Sequence, residues 1–125
     1  MDASATFWFP CDVGACRSAR QVVREFLGSS GWRGSHDDAV VIVSELFENA
    51  VRHAHSDVQI LVRLDGPLLR MEVHDSDQST NVRLTPATAA GGYGLRLIQS
   101  LSCDWGWSRE TEGKVVWAEL LAIPT

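Results

Sequence analysis

The sequence predicts an α+β fold, a two-layer sandwich in which helices cover one face of a mixed, mostly antiparallel sheet. Three observations predict it. Apolar residues recur at helical spacing in two adjoining segments near the N-terminus. They alternate with period two on either side of a turn signal in the middle of the chain. The full order reads strand, helix, helix, hairpin, loop, helix, hairpin. At 125 residues this is a single domain over 1–125, large enough to bury a proper core.

Phe7, Trp8 and Phe9 predict a short first strand that stops at Pro10. From about Asp12 to Leu27, Ala15, Ala19, Val22, Val23, Phe26 and Leu27 fall at helical spacing, and Gly28 with Ser29-Ser30-Gly31 ends the run. A second helix is predicted from about Ser35 to Ala54. Its apolar stripe is Val40, Val43, Phe47, Ala50, Val51 and Ala54, widened by Ile42 and Leu46, so the helix should be largely buried. Ser35 followed by Asp38 resembles a capping box with Asp in place of Glu or Gln.

The period then changes. Val58, Ile60, Val62 and Leu64 line one face of a strand, and Asp65-Gly66 signals a turn. Leu69, Met71 and Val73 continue the inward face, with Arg70, Glu72 and His74 on the other. Asp75 shares the inward parity. A carboxylate there needs hydrogen-bond partners if the strand persists; if the strand stops at Val73 or His74, Asp75 faces water. Residues 76–90 are polar and aperiodic, a length that suits a lid or binding loop. They lead into GGYGLRLIQSLS, a helix with Leu95, Leu97, Ile98 and Leu101 on its apolar side. Two closing strands, about Cys103 to Ser108 and Val115 to Leu121, join around Glu112-Gly113, with Trp105, Trp107 and Trp117 as hydrophobic mass.

Composition narrows the function. A net charge of −5 with no Lys/Arg-rich run argues against direct nucleic-acid binding. No apolar run approaches the length of a membrane span, and MDASATFWFPCD has no basic segment before its aromatics, so a signal peptide is not expected and a cytoplasmic location is. Cys11, Cys16 and Cys103 form no CxxC pair and read as reduced thiols; His53 and His55 are a lone HxH, not a metal motif.

SELFENAVRHA, residues 44–54, carries Glu45 and Asn49 four positions apart, hence stacked on one flank of a mostly buried helix. Such groups are solvated, paired or used, and spacing alone leaves a solvated stripe open. Glycines at 91, 92 and 94 would let backbone N–H groups approach an anion at a helix start, though glycine-rich turns are common.

In this order, a helix with Glu45 and Asn49, a strand ending in Asp75 and a glycine-rich helix start, the chain resembles the GHKL ATPase superfamily, whose members share the Bergerat (histidine-kinase-like ATPase) fold. More closely, it resembles the small bacterial anti-sigma-factor serine kinases and their actinobacterial relatives. SELFENAVRHA is similar to the N box and GGYGL to the G2 box. The resemblance implies that Asn49 coordinates the Mg2+ that bridges ATP phosphates. Glu45 takes the place of the general base. Asp75 matches the carboxylate that accepts a hydrogen bond from the adenine amino group. Gly92, Gly94 and Leu95 match the phosphate-cradling turn, while Arg52 and His53 border the phosphates or a partner surface. The cofactors implied are ATP and Mg2+. The partners implied are a sigma factor and a STAS-type anti-sigma antagonist, and homodimers are common among the relatives.

Two departures fall at the base-binding end. The G1 box, usually DxGxG, reads Asp75-Ser76-Asp77-Gln78-Ser79, and Gly113-Lys114-Val115 puts Val115 where relatives often carry a threonine. Losing one or two hydrogen bonds at about 1 kcal/mol each would weaken ATP roughly five- to thirty-fold. Two functions therefore stand: a kinase that phosphorylates a serine or threonine on the antagonist and binds a sigma factor, or a Bergerat-fold module that acts by partner binding alone. Glu45 favours the first and the altered G1 box the second.

Overall fold

The computed structural model describes residues 2–53, 56–77 and 93–122. Strand β1 (Asp2–Phe9) leads through a 3-10 turn (Val13–Ala15) into helices α1 (Cys16–Ser30) and α2 (His36–His53). The hairpin of β2 (Val58–Asp65) and β3 (Leu68–Asp75) follows, then α3 (Tyr93–Leu101) and the hairpin of β4 (Asp104–Glu110) and β5 (Gly113–Leu121). The strands lie in the order β1-β2-β3-β5-β4. All pairings among them are antiparallel, which corrects the expected mixed sheet. The reason is topological. The crossover through α3 leaves β3 and β4 pointing the same way, but β5 inserts between them, so no parallel neighbours remain.

The three helices cover one face. Helix α2 lies in the middle, against β2, β3, β5 and both other helices, while α1 also touches β1 and α3 touches β4. Trp32, just ahead of α2, donates its Nε1–H to Pro67 O at 2.9 Å, which fixes the start of α2 at the β2–β3 turn. Near the other end, Phe47 meets Phe9 edge to face at 5.8 Å, and Cys11 Sγ lies 3.7 Å from Val51 O. Phe9 pairs with Val58 at the opposite end of the sheet from Pro67. Helix α2 therefore runs alongside β3 in the same direction, and its C-terminal half approaches the end where β3 reaches Asp75.

Element ends moved where local chemistry outweighed the pattern. Helix α1 passes through Gly28 and stops at Gly31, whose φ of 74° supplies the left-handed cap that ends the last turn. Ser35 caps α2 as expected, its Oγ accepting the Asp38 N–H at 3.1 Å. Strand β1 extends back to Asp2 because β2 offers it a partner at every residue from Val58 to Asp65.

The core joins the buried faces of α1 and α2 to the inward residues of the sheet: Val58, Ile60, Val62 and Leu64 on β2, Leu69, Met71 and Val73 on β3, and Val116, Ala118 and Leu120 on β5. Trp105 and Trp107 pack against it as the sequence suggested. Trp117 is on the opposite, open face, under the Arg70 guanidinium at 4.3 Å. There Arg70 bonds Glu72 at 2.7 Å and Glu119 at 3.1 Å, and His74 bridges Glu72 and Glu110 at 2.8 and 2.7 Å. Burial pushes the Glu72 carboxyl up, but hydrogen bonds from Arg70 and His74 outweigh it and hold the group below its usual range. The cysteines are free, and no described helix is long and apolar enough to cross a membrane.

Phe47 is fully buried where α2 meets β1. Phe47→Ala is expected to destabilise the fold by about 3–5 kcal/mol, measured as a lowered urea midpoint at unchanged slope.

Candidate functional site

Glu45 and Asn49 project from successive turns of α2, and both are half-buried while Leu46, Phe47 and Ala50 between and beside them are core. The helix thus presents a polar flank next to a face sealed on the sheet. Burial pushes the Glu45 carboxyl up, Glu48 adds like-charge repulsion in the same direction, and Arg52 opposes them; the net shift is upward. That direction suits a proton acceptor, since a carboxylate of raised pKa holds a transferred proton better. Asn49 Nδ2 is buried with no hydrogen-bond partner among the described residues. An unpaired buried amide is costly, so this nitrogen calls for a partner that the described residues do not supply.

Asp75 ends β3 with inward parity and remains in the strand, directly across from Lys114 of β5. Lys114 is wholly buried, and its Nζ donates to Asp75 Oδ2 at 2.8 Å and to Asp77 Oδ2 at 3.4 Å. The Asp77 backbone N–H donates to Asp75 Oδ1 at 2.8 Å. The side chains of Asp75 and Asp77 are 1% and 3% exposed. Gly113 makes this closure sterically feasible, because a Cβ there would sit 1.7 Å from Asp75 O. The expected place for Val115 is corrected by the register. Val115 pairs with His74 on the open face, and a one-residue step along a strand reverses the side.

Residues 9–120 match the histidine kinase-like ATPase domain. The chain belongs to that family. The resemblance read from SELFENAVRHA and GGYGL holds at the family level, and the five-stranded sheet with three covering helices is its fold. Among solved structures, the chain is similar to the RsbU and RsbW domains of Rv1364c from Mycobacterium tuberculosis, with a TM-score of 0.73 at 21% identity. The alignment covers 98% of this chain and 34% of that one, so the likeness is to about a third of the larger protein. No protein of curated function matches in sequence.

The site residues expected from the sequence fall on α2 and at the far end of the sheet. Asn49, in the C-terminal half of α2, and Asp75 lie toward the same end, as the Phe9–Phe47 and Cys11–Val51 contacts require. His53 is the last residue of α2, and Gly94 is the second residue of α3. Leu95 is partly buried against the core. Gly92 lies outside the described residues, as does the expected lid from Gln78 onward. Lys114 and Asp77 were missed as partners of Asp75. Parity shows that Lys114 faces inward, alternating with Val116, Ala118 and Leu120, but the partner itself depends on the β3–β5 register.

Two clefts open on the sheet side. One of about 610 Å³ is lined by Arg63, Arg70, Asp65 and Glu119 on the open face. Another of about 240 Å³ borders the end of β3, lined by Asp75, Ser76 and Gly113 with Trp8, His74 and Glu110. Neither includes Glu45 or Asn49.

The two α2 residues do fit a magnesium-bridged triphosphate. A neutral amide can meet a phosphate oxygen through Nδ2 and offer Oδ1 to a hard cation. Among the described residues, no three His, Cys, Asp or Glu side chains gather into a metal-holding group.

Glu45 gives a pH test. Its folded pKa lies above the usual carboxylate range, so the protonated form favours folding and this contribution fades as pH rises through the folded pKa. Glu45→Gln is expected to raise the melting temperature at pH 7 and to leave it nearly unchanged below about pH 4, where the wild-type carboxyl is protonated in both states. Thermal scans at the two pH values check this.

Proposed function

We propose that this chain binds ATP with Mg2+ on the polar flank of α2 and acts as a protein serine/threonine kinase of the anti-sigma type. In this reading it phosphorylates an antagonist and binds a sigma factor in the cytoplasm. Family membership supports nucleotide binding, and the observation that carries the reading is the pairing of Glu45, its pKa raised, with the orphaned Asn49 amide one turn away. Asn49 would hold the phosphate end, and a bound Mg2+ would supply charge neutralisation at the transferring phosphoryl group. Glu45 would accept the proton of an incoming hydroxyl as its oxygen bonds the γ-phosphorus and the bond to the ADP oxygen breaks. Gly92, Gly94, Leu95 and His53 are proposed to border the phosphates, and self-association into a homodimer belongs to the same reading.

A second reading has its own support. With Asp75 closed by Lys114, and with Trp8 and Leu121 65% and 57% exposed on the open sheet, the chain could act by partner contact alone. A phosphotransfer assay separates the two. With labelled ATP and an antagonist-type protein encoded next to it, wild type is expected to transfer phosphate. Glu45→Ala and Asn49→Ala should each lower the rate by at least about 100-fold, the scale of one catalytic acid–base contribution. No transfer by wild type would support the partner-binding module.

A further inference from the structure

Both oxygens of Asp75 are bonded within the chain, Oδ2 to Lys114 Nζ and Oδ1 to the Asp77 N–H. Lys114 is 0% exposed and Asp75 only 1% at the side chain, so this pair is enclosed and not a surface contact. We infer that Lys114 and Asp77 together sequester Asp75, and that the chain takes purine nucleoside triphosphates without reading the 6-amino group of the base. The inference rests on the nucleotide reading above and adds base selectivity to it: the 6-amino group of adenine does not define the ligand class.

Competition at Asp75 Oδ2 explains why. An exocyclic amino group is a neutral donor, whereas Lys114 is a cation, and charge-assisted bonds are the stronger. For a base to displace Lys114, the ammonium must lose its shorter carboxylate contact while still buried, which is the unfavourable way to break an interior ion pair. Asp77 makes displacement harder still, because it adds a second carboxylate at 3.4 Å and closes the turn back onto Asp75. The two residues also balance. Two carboxylates and one ammonium carry a net charge of −1, which is the charge of Asp75 alone. Removing both partners therefore preserves the local charge, while removing either one changes it. On this view Asp77 of the altered G1 box and Lys114 at the start of β5 are one device, closing on Asp75 together.

The full chain is titrated calorimetrically with Mg2+ and either ATP or purine riboside triphosphate, which lacks only the 6-amino group. Wild type is expected to bind the two within about threefold of each other. In the charge-balanced double variant Asp77→Gly/Lys114→Ala, Asp75 is released, and ATP should become preferred by about tenfold or more, the value of one hydrogen bond to a charged group. A tenfold preference for ATP in wild type would overturn this inference and leave the nucleotide reading standing. So would a double variant with a cooperative thermal transition and no preference. Should the double variant fail to fold, the wild-type comparison decides by itself. Binding of neither ligand by either protein would overturn the nucleotide reading and this inference with it.

Discussion

Helix α2 is the constraint on which the rest of this fold depends. It lies against three strands and two helices, so its apolar residues must be continuous enough to seal the sheet. Its ends are fixed independently, by the Trp32–Pro67 hydrogen bond at one end of the sheet and by Phe9 and Cys11 at the other. With both direction and face determined, the flank that carries Glu45 and Asn49 has no freedom to turn into the core or out into bulk water. The raised pKa of Glu45 and the orphaned Asn49 amide are consequences of that placement. Packing creates the polar flank.

The far end of the sheet solves a different problem. An inward aspartate at the end of β3 is expensive without partners, and the chain supplies them from β5 and from the next turn. A buried ion pair of this kind adds little net stability over apolar packing, since desolvation offsets most of the attraction. What it does is commit Asp75 to the protein. The two ends of the candidate site therefore differ in character: the α2 end holds an amide with no partner among the described residues, and the sheet end is already satisfied.

Much of this was legible in the sequence. Helical spacing gave both early helices, and period-two alternation gave the central hairpin and the inward parity of Asp75, which the structure keeps in the strand. Three matters were not legible, each for a physical reason. Helix ends follow capping geometry, so Gly28 is passed over and Gly31 stops α1. Sheet order is non-local, and nothing in the local pattern of β5 says that it enters between β3 and β4. Cross-strand partners depend on register, so Lys114 faces Asp75 and Val115 turns away, a distinction of one residue that the motif alone did not resolve.

If the α2 flank receives a nucleotide, as proposed, the Asn49 side-chain amide reports it directly. Its resonances can be followed by nuclear magnetic resonance as ATP is added in the presence of Mg2+. A saturable shift at Asn49, with smaller shifts at Leu46 and Ala50 and none at Trp8 or Trp117, is the expected result. An Asn49 amide that stays fixed while the open-face tryptophans respond would contradict it.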